Sequence, residues 1–473
     1  MTDLTKEYKQ AWDTYTQSDK DALFAYGERY RQFISENKTE RECIRTMVVK
    51  AEAEGYINLE TLISEETPLK VGDKVYANYN DKTLVMYCIG QEDITKGMNL
   101  LGAHLDSPRL DLKPNPLYED SNFAMFKTHY YGGIKKYQWV TMPLAIHGVV
   151  AKKNGEVVNI TIGESLSDPV VGISDILPHL AAEQAQKKIA DAITGEDLNL
   201  CLGTLPLEVE DKESDENKKV KDKVKANVLR LLNDKYGITE EDFVSAEIQI
   251  VPAGPARDYG LDRSMIIGYG QDDRVCSYAS FEAQLEVTNP VKTSVCILVD
   301  KEEIGSVGAS GMHSKFFENT VAEVLELLGK SSNLHVRRTL ANSKMLSSDV
   351  TAGHDPNYPS ILEKNNAAYF GKGVVFNKYT GSRGKSGSNE ANAEYVAHLR
   401  HIMEENNVTW QTSELGRIDL GGGGTIAYIL AQYGMDVIDC GVPVHSMHAP
   451  WEITSKVDLY EMRKAYVAFL ESL

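Results

Sequence analysis

From about residue 247 onward, short apolar segments alternate with longer helix-compatible ones, and this alternation narrows the possible folds more than anything else in the chain. Strand candidates at 247–251, 294–299, 373–376 and 436–440 are interleaved with helix candidates at 275–286, 320–328, 391–405 and 460–473. Strands and helices in alternation predict an α/β fold: a mixed, mostly parallel sheet covered by helices on both faces. Ligand sites in such sheets lie beyond the carboxyl ends of the strands, so the residues after each apolar run are where chemistry is to be sought.

The rest of the chain has other textures. Residues 6–36 and 40–53 have helix-compatible spacing, and 74–79 and 84–89 read as strands around Asn80-Asp81, a hairpin signal. The run MNLLGAHL at 98–105 reads as a buried strand ending in polar residues. Further on, 140–153 and 157–162 flank Asn154-Gly155, a two-residue hairpin turn by sequence. The charged tract 208–225 reads as an exposed excursion before a helix at 224–236. At 473 residues the chain exceeds one simple core, so two domains, or one with a large insertion, are expected.

A formal charge of -19 argues against nucleic acid as the main partner and against attraction to anionic membranes. The six cysteines are scattered and form no C-x-x-C pair, which suits buried thiols in a reducing compartment. The N-terminus shows no signal-peptide pattern, and no apolar run approaches the roughly 20 residues that span a bilayer. A cytoplasmic location is the expectation.

Five segments, most of them strand ends, carry the same kinds of residue. His104 and Asp106 follow MNLLGA, Asp272 and Asp273 open the helix after GYGQ, and Glu302 and Glu303 end the strand SVCILVDK. Asp349 follows KMLSS, and His448 stands in HSMHAPWE after the strand candidate at 436–440. Imidazole and carboxylate suit Zn²⁺ and its first-row neighbours, and adjacent carboxylates suit bridging of two cations. Taken singly, each has a plainer explanation. An Asp at a helix start is usually a cap, a lone His is usually a hydrogen-bonded core group, and paired glutamates are usually solvated. The repetition at five places is what favours a metal site. Gly421–Gly424 lacks the Lys and Ser/Thr of a P-loop, so a nucleotide is not indicated. No G-x-S-x-G occurs and no cysteine has a persuasive histidine partner, leaving little support for serine or thiol hydrolases.

The segments HLDSPRLDLKP, GQDDRVCSYAS, DKEEIGSVGASG, SSDVTAGHDPNYP and SMHAPWE, with LPHLA between them, resemble the bacterial branch of the aspartyl aminopeptidase family of dinuclear zinc metallopeptidases. The resemblance implies a peptidase that removes the N-terminal residue from peptides with a free N-terminus, using two zinc ions per subunit that cobalt or manganese can replace. It implies that His104 and Asp349 hold one ion, Glu303 and His448 the other, and Asp272 bridges them. Glu302 would be the general base, and Asp106 would orient His104. It also implies a catalytic domain of residues 1–112 and 255–473 interrupted by a smaller β-rich dimerisation domain, 113–254. Assembly would be a homo-oligomer, a tetrahedral dodecamer built from dimers, with His179 reaching a neighbouring subunit's site. The family prefers acidic N-terminal residues, but Asn377 stands where eukaryotic relatives carry the lysine that pairs with them; the nearby Lys378, Arg383 and Lys385 could replace it only if their loop turns them inward and otherwise form a solvated basic loop, so a weaker preference is expected here. Two rival readings are an inactive relative kept as a scaffold and a deacylase acting on N-acyl amino acids.

Overall fold

Near-continuous apolar strands can be buried on both faces, and the central strands of a nine-stranded sheet are assembled that way. The computed structural model describes residues 4–6, 8–208 and 221–473. Across the main sheet the strands run Ile57–Asn58, Lys74–Tyr79, Thr83–Cys88, Ser294–Val299, Asn99–His104, Lys344–Ser348, Asp436–Gly441, Val374–Asn377 and Trp410–Thr412. The four central strands, from Ser294–Val299 to Asp436–Gly441, are mutually parallel, so their carboxyl ends share one edge. Thr83–Cys88 and Val374–Asn377 flank them antiparallel, which makes the sheet mixed.

Alternation along each strand sends side chains to two separate cores. Leu84, Met86, Leu101, Ala103, Cys296, Leu298, Leu346 and Ile438 pack on one side, where helices Gln17–Glu36, Gln271–Glu286 and Lys456–Glu471 lie. Val85, Tyr87, Leu100, Val295, Ile297, Met345 and Val437 face the other side, under Phe316–Leu327 and Ala427–Ala431. These elements belong to a unit made of Met1–Ser107, Ala256–Met447 and Trp451–Leu473. A five-stranded sheet, ordered Arg257–Tyr259, Met265–Gly268, Glu452–Ser455, Pro443–His445 and Thr351–Ala352, completes it.

The second unit comprises Pro108–Pro255 and His448–Pro450. Its six strands, ordered Val157–Ile162, Leu144–Ala151, Ala246–Pro252, Arg109–Asp120, Phe123–Tyr131 and Leu200–Gly203, are all antiparallel. The helix Lys223–Tyr236 ends at Gly237, whose left-handed φ of 64° terminates it.

Several local expectations need correction. The helix expected from residue 6 starts at Gln17, because Thr16 and Asp19 form a capping box that fixes its first turn; Ala11–Thr14 is a short 3-10 turn instead. Asn154-Gly155 is not a two-residue turn: strand pairing ends at Ala151 and Val157, and Asn154 Oδ1 accepts from the Glu156 amide inside a longer loop. The strand Ala246–Pro252 begins no α/β alternation; it pairs antiparallel with Leu144–Ala151. Of the charged tract expected to be an excursion, 209–220 lie outside the described residues. Among the described residues no helix is long and apolar enough to cross a membrane. All six cysteines are unbridged, and five of them are buried.

Candidate metal centre

His104 is the last residue of a fully buried strand, so its imidazole emerges at the shared carboxyl edge. Its main chain is fixed from both sides: its amide lies 3.4 Å from Asp273 Oδ2, and its carbonyl accepts from Ser277 Oγ at 2.6 Å. The ring is fixed as well. Nδ1 lies 2.9 Å from the Asp106 main-chain oxygen and 3.3 Å from Asp106 Oδ1. A donating Nδ1–H leaves the lone pair on Nε2, the tautomer suited to binding a metal. Nε2 faces Asp272 Oδ1 at 3.2 Å and Glu302 Oε2 at 3.9 Å.

Asp106 does more than face the imidazole. Its two carboxylate oxygens accept the amides of Glu302 and Glu303, each at 3.1 Å. Those glutamates form a single 3-10 turn, Glu302–Ile304, bounded by Lys301 and Gly305 in left-handed conformations. A second clasp closes the same loop: Ser310 Oγ donates to the buried Asp300 at 2.6 Å, and Thr83 Oγ1 donates to the Ser310 carbonyl at 2.6 Å. The glutamates therefore do not end the strand, which stops at Val299; a braced loop carries them back over its end.

Asp272 and Asp273 precede the regular part of helix Gln271–Glu286 with non-helical dihedral angles, and the peptide between them is cis. No side-chain capping bond is made at Gly270, and Asp273 is the residue directly before the regular turns of the helix. The Asp272 amide donates to Glu452 Oε2 at 3.1 Å, and its carbonyl accepts from Ser107 Oγ at 2.7 Å. Asp349 directly follows the strand Lys344–Ser348, which pairs parallel with Asn99–His104. A Cβ on Gly441 would lie 2.0 Å from the Asp349 carbonyl oxygen, so that close approach requires glycine.

Two sets of three, His104 with Asp272 and Asp349, and His104 with Glu302 and Glu303, each offer one ligand atom apiece within 4.8 Å of one another. His448 is grouped with the second unit, where its Nδ1 lies 2.9 Å from the Gly133 carbonyl oxygen. His179 lies exposed in the 3-10 turn Pro178–Leu180 of the same unit. Asn377 is buried and accepts from Ser413 Oγ at 2.7 Å, while Lys385 pairs with Glu390 at 2.9 Å. His445 lies 3.1 Å from the His354 carbonyl oxygen and stacks on Phe370.

Electrostatics favour a cation here. Burial alone would push the His104 imidazole down, but bonds to Asp106 and Asp272, with Glu302 close by, hold it well above the ordinary histidine range. Burial first, and then the neighbouring carboxylates, push the Asp273 and Asp349 carboxyls well up. Asp273 Oδ1 is buried without a hydrogen-bond partner among the described residues. Buried carboxylates at this density need positive charge, from protons or from metal. Imidazole Nε2 and carboxylate oxygens are the donor set that zinc takes, so the residues fit the ion.

Sequence reasoning missed Glu452, Ser107 and Ser277, all of which touch the main chain of proposed ligands. Glu452 had a signal, since it closes the segment SMHAPWE; the two serines had none.

An α/β sheet with imidazole and carboxylates gathered at its carboxyl edge defines a metallohydrolase class. The family described as "Aminopeptidase I zinc metalloprotease (M18)" matches residues 33–470, and the chain belongs to it. It is a metallopeptidase of the aminopeptidase type. A protein of Clostridium acetobutylicum named "Probable M18 family aminopeptidase 1" is 60% identical over 470 residues, covering 99% of each chain. The crystal structure of an M18-family aminopeptidase from Thermotoga maritima superposes with a TM-score of 0.92 at 42% identity, covering 99% of this chain and 100% of that one. The mApe1 dodecamer of S. cerevisiae shares the fold at a TM-score of 0.75 and 21% identity, covering 96% of this chain and 97% of that one.

Proposed function

We propose that this chain removes N-terminal residues from peptides with two zinc ions, one held by His104 and Asp349, the other by Glu303 and His448, with Asp272 shared between them. Bound there, zinc supplies a Lewis acid and lowers the pKa of a coordinated water towards roughly 7. Glu302 accepts a proton from the attacking water and returns it to the leaving amine. Asp106 fixes Glu302 and Glu303 through their amides, and its main-chain oxygen sets the His104 tautomer. His448 matches His104 in having Nδ1 beside a main-chain carbonyl, which directs the Nε2 lone pair to a metal. The observation that carries the reading is the placement of Glu302: its carboxylate faces His104 Nε2 while its amide is anchored on Asp106.

The preference for acidic N-terminal residues is weak in this reading. Asn377 carries no charge and is engaged with Ser413, Lys385 is paired with Glu390, and Lys378 and Arg383 lie exposed, so none is a dedicated cation for a substrate carboxylate. Assembly is a homo-oligomer, which the dodecameric relative supports, with His179 reaching a neighbouring site.

Glu302→Gln is the test. The variant is expected to keep two equivalents of zinc and lose about 10²–10⁴-fold in kcat, the usual scale of general-base catalysis. A variant with near-normal kcat overturns the assignment. Free-amine against N-acylated substrates separates peptidase from deacylase.

A further inference from the structure

Asp272 is held by its main chain, and the group holding its amide comes from 180 residues further along the chain. Glu452 opens the strand Glu452–Ser455 and pairs across the sheet with Gly268, just before the turn that carries Asp272. Its side chain is 1% exposed and spans that turn to accept the Asp272 amide at 3.1 Å. On the other side Ser107 Oγ donates to the Asp272 carbonyl at 2.7 Å. The turn itself is closely fitted: Gly270 has φ 77°, and a Cβ there would lie 2.9 Å from Ser107 Oγ and 2.5 Å from an Arg274 nitrogen. Tyr30 donates to the Gln271 side chain from helix Gln17–Glu36. Both peptide groups of Asp272 are thus anchored, so the direction in which its Cα–Cβ bond leaves the main chain is set.

We propose that Glu452 is a positioning residue for the carboxylate of Asp272: by gripping the Asp272 amide it aims that carboxylate between the two metal positions. The proposal rests on the two-metal reading above, in which Asp272 is the shared ligand. Glu452 suits the task physically. A buried carboxylate is a stronger acceptor than a neutral group, and a main-chain N–H presents one fixed direction. Groups that orient metal ligands typically contribute 10–100-fold to metal affinity or activity when removed. Glu452 itself touches neither substrate nor ion in this scheme, so its loss acts through geometry.

The test uses the full chain as Glu452→Ala and Glu452→Gln. Zinc affinity is measured by chelator competition, and the manganese-loaded forms are examined by electron paramagnetic resonance, where two ions sharing a carboxylate show spin coupling. Glu452→Gln keeps an acceptor oxygen in place and is expected to stay within about threefold of the parent in affinity and to keep the coupled spectrum. Glu452→Ala is expected to lose about 10–100-fold in zinc affinity and to weaken or abolish the coupling, with kcat falling more than KM rises. Should Glu452→Ala not fold, Glu452→Asp withdraws the carboxylate by one methylene and is read in the same way. A parent that shows no coupled pair overturns the two-metal reading together with this one. A coupled parent whose Glu452→Ala or Glu452→Asp variant has unchanged affinity and spectrum overturns the role of Glu452 alone.

Discussion

Replacing Asp106 with Asn separates two jobs that one carboxylate could do. The His104 ring is 2.9 Å from the Asp106 main-chain oxygen and 3.3 Å from its carboxylate, so the nearer partner survives the substitution. The two carboxylate bonds to the Glu302 and Glu303 amides, each 3.1 Å, do not both survive. Asn offers one acceptor oxygen and turns an NH₂ towards the other N–H. One hydrogen bond to a charged group is lost, about 1.5–3 kcal/mol. At 1.36 kcal/mol per tenfold, that corresponds to roughly 10- to 150-fold in kcat/KM if the loop must be held for catalysis. Steady-state kinetics on a chromogenic amino-acid amide, with zinc affinity by chelator competition, gives both numbers. The expected result is a fall of that size in kcat/KM with the larger loss at the ion proposed to be held by Glu303. An Asp106→Asn enzyme within threefold of the parent in both measures would refute the claim that this carboxylate braces the Glu302–Ile304 turn.

Two further substitutions probe the frame around the site. Burial raises the Asp439 carboxyl to about 7, against hydrogen bonds from Thr425 and Ser347 that lower it. A carboxyl raised on folding stabilises the fold fully below its unfolded value near 4 and loses that contribution as pH climbs to about 7. Asp439→Asn should therefore match the parent in stability at about pH 4 and below and exceed it increasingly from there to pH 7, by at most about 4 kcal/mol for three units; denaturant melts from pH 4 to 8 check the trend, and a pH-independent difference refutes it. Gly441→Ala drives a methyl against the Asp349 carbonyl, so it should cost about 1–3 kcal/mol in thermal stability and lower zinc content; an alanine variant with full zinc would show that Asp349 has room to move.

Much of the sheet was legible because buried parallel strands announce themselves as unbroken apolar runs, as in SVCILV and NLLGAH. The residues gathered at the candidate site stood out for a related reason, since polar residues directly after such a run have no core role. Context set the rest. The end of helix-compatible spacing near residue 16 depended on a Thr-Asp capping box rather than on periodicity. The strand at Ala246–Pro252 looked like its parallel counterparts because a strand's residues do not reveal which partner it will meet. Glu452, Ser107 and Ser277 act on main-chain atoms of residues far away in sequence, and no local pattern encodes such a bond.

The order of strands in the main sheet has a consequence for how the protein is made. Thr83–Cys88 and Asn99–His104 are near neighbours in the chain but not in the sheet, where Ser294–Val299 lies between them and pairs with both. As the polypeptide leaves the ribosome, those two early strands wait for a partner about 190 residues downstream, with Leu84, Met86, Leu100 and Leu101 uncovered meanwhile. The all-antiparallel sheet of the second unit has its main run of strands, 109–252, complete in the interval and can form first. Closure of the main sheet is then a late, long-range event of the kind that folds slowly and exposes aggregation-prone edges. Chains cut off before about residue 300 should be insoluble, and capture of zinc should mark the end of synthesis.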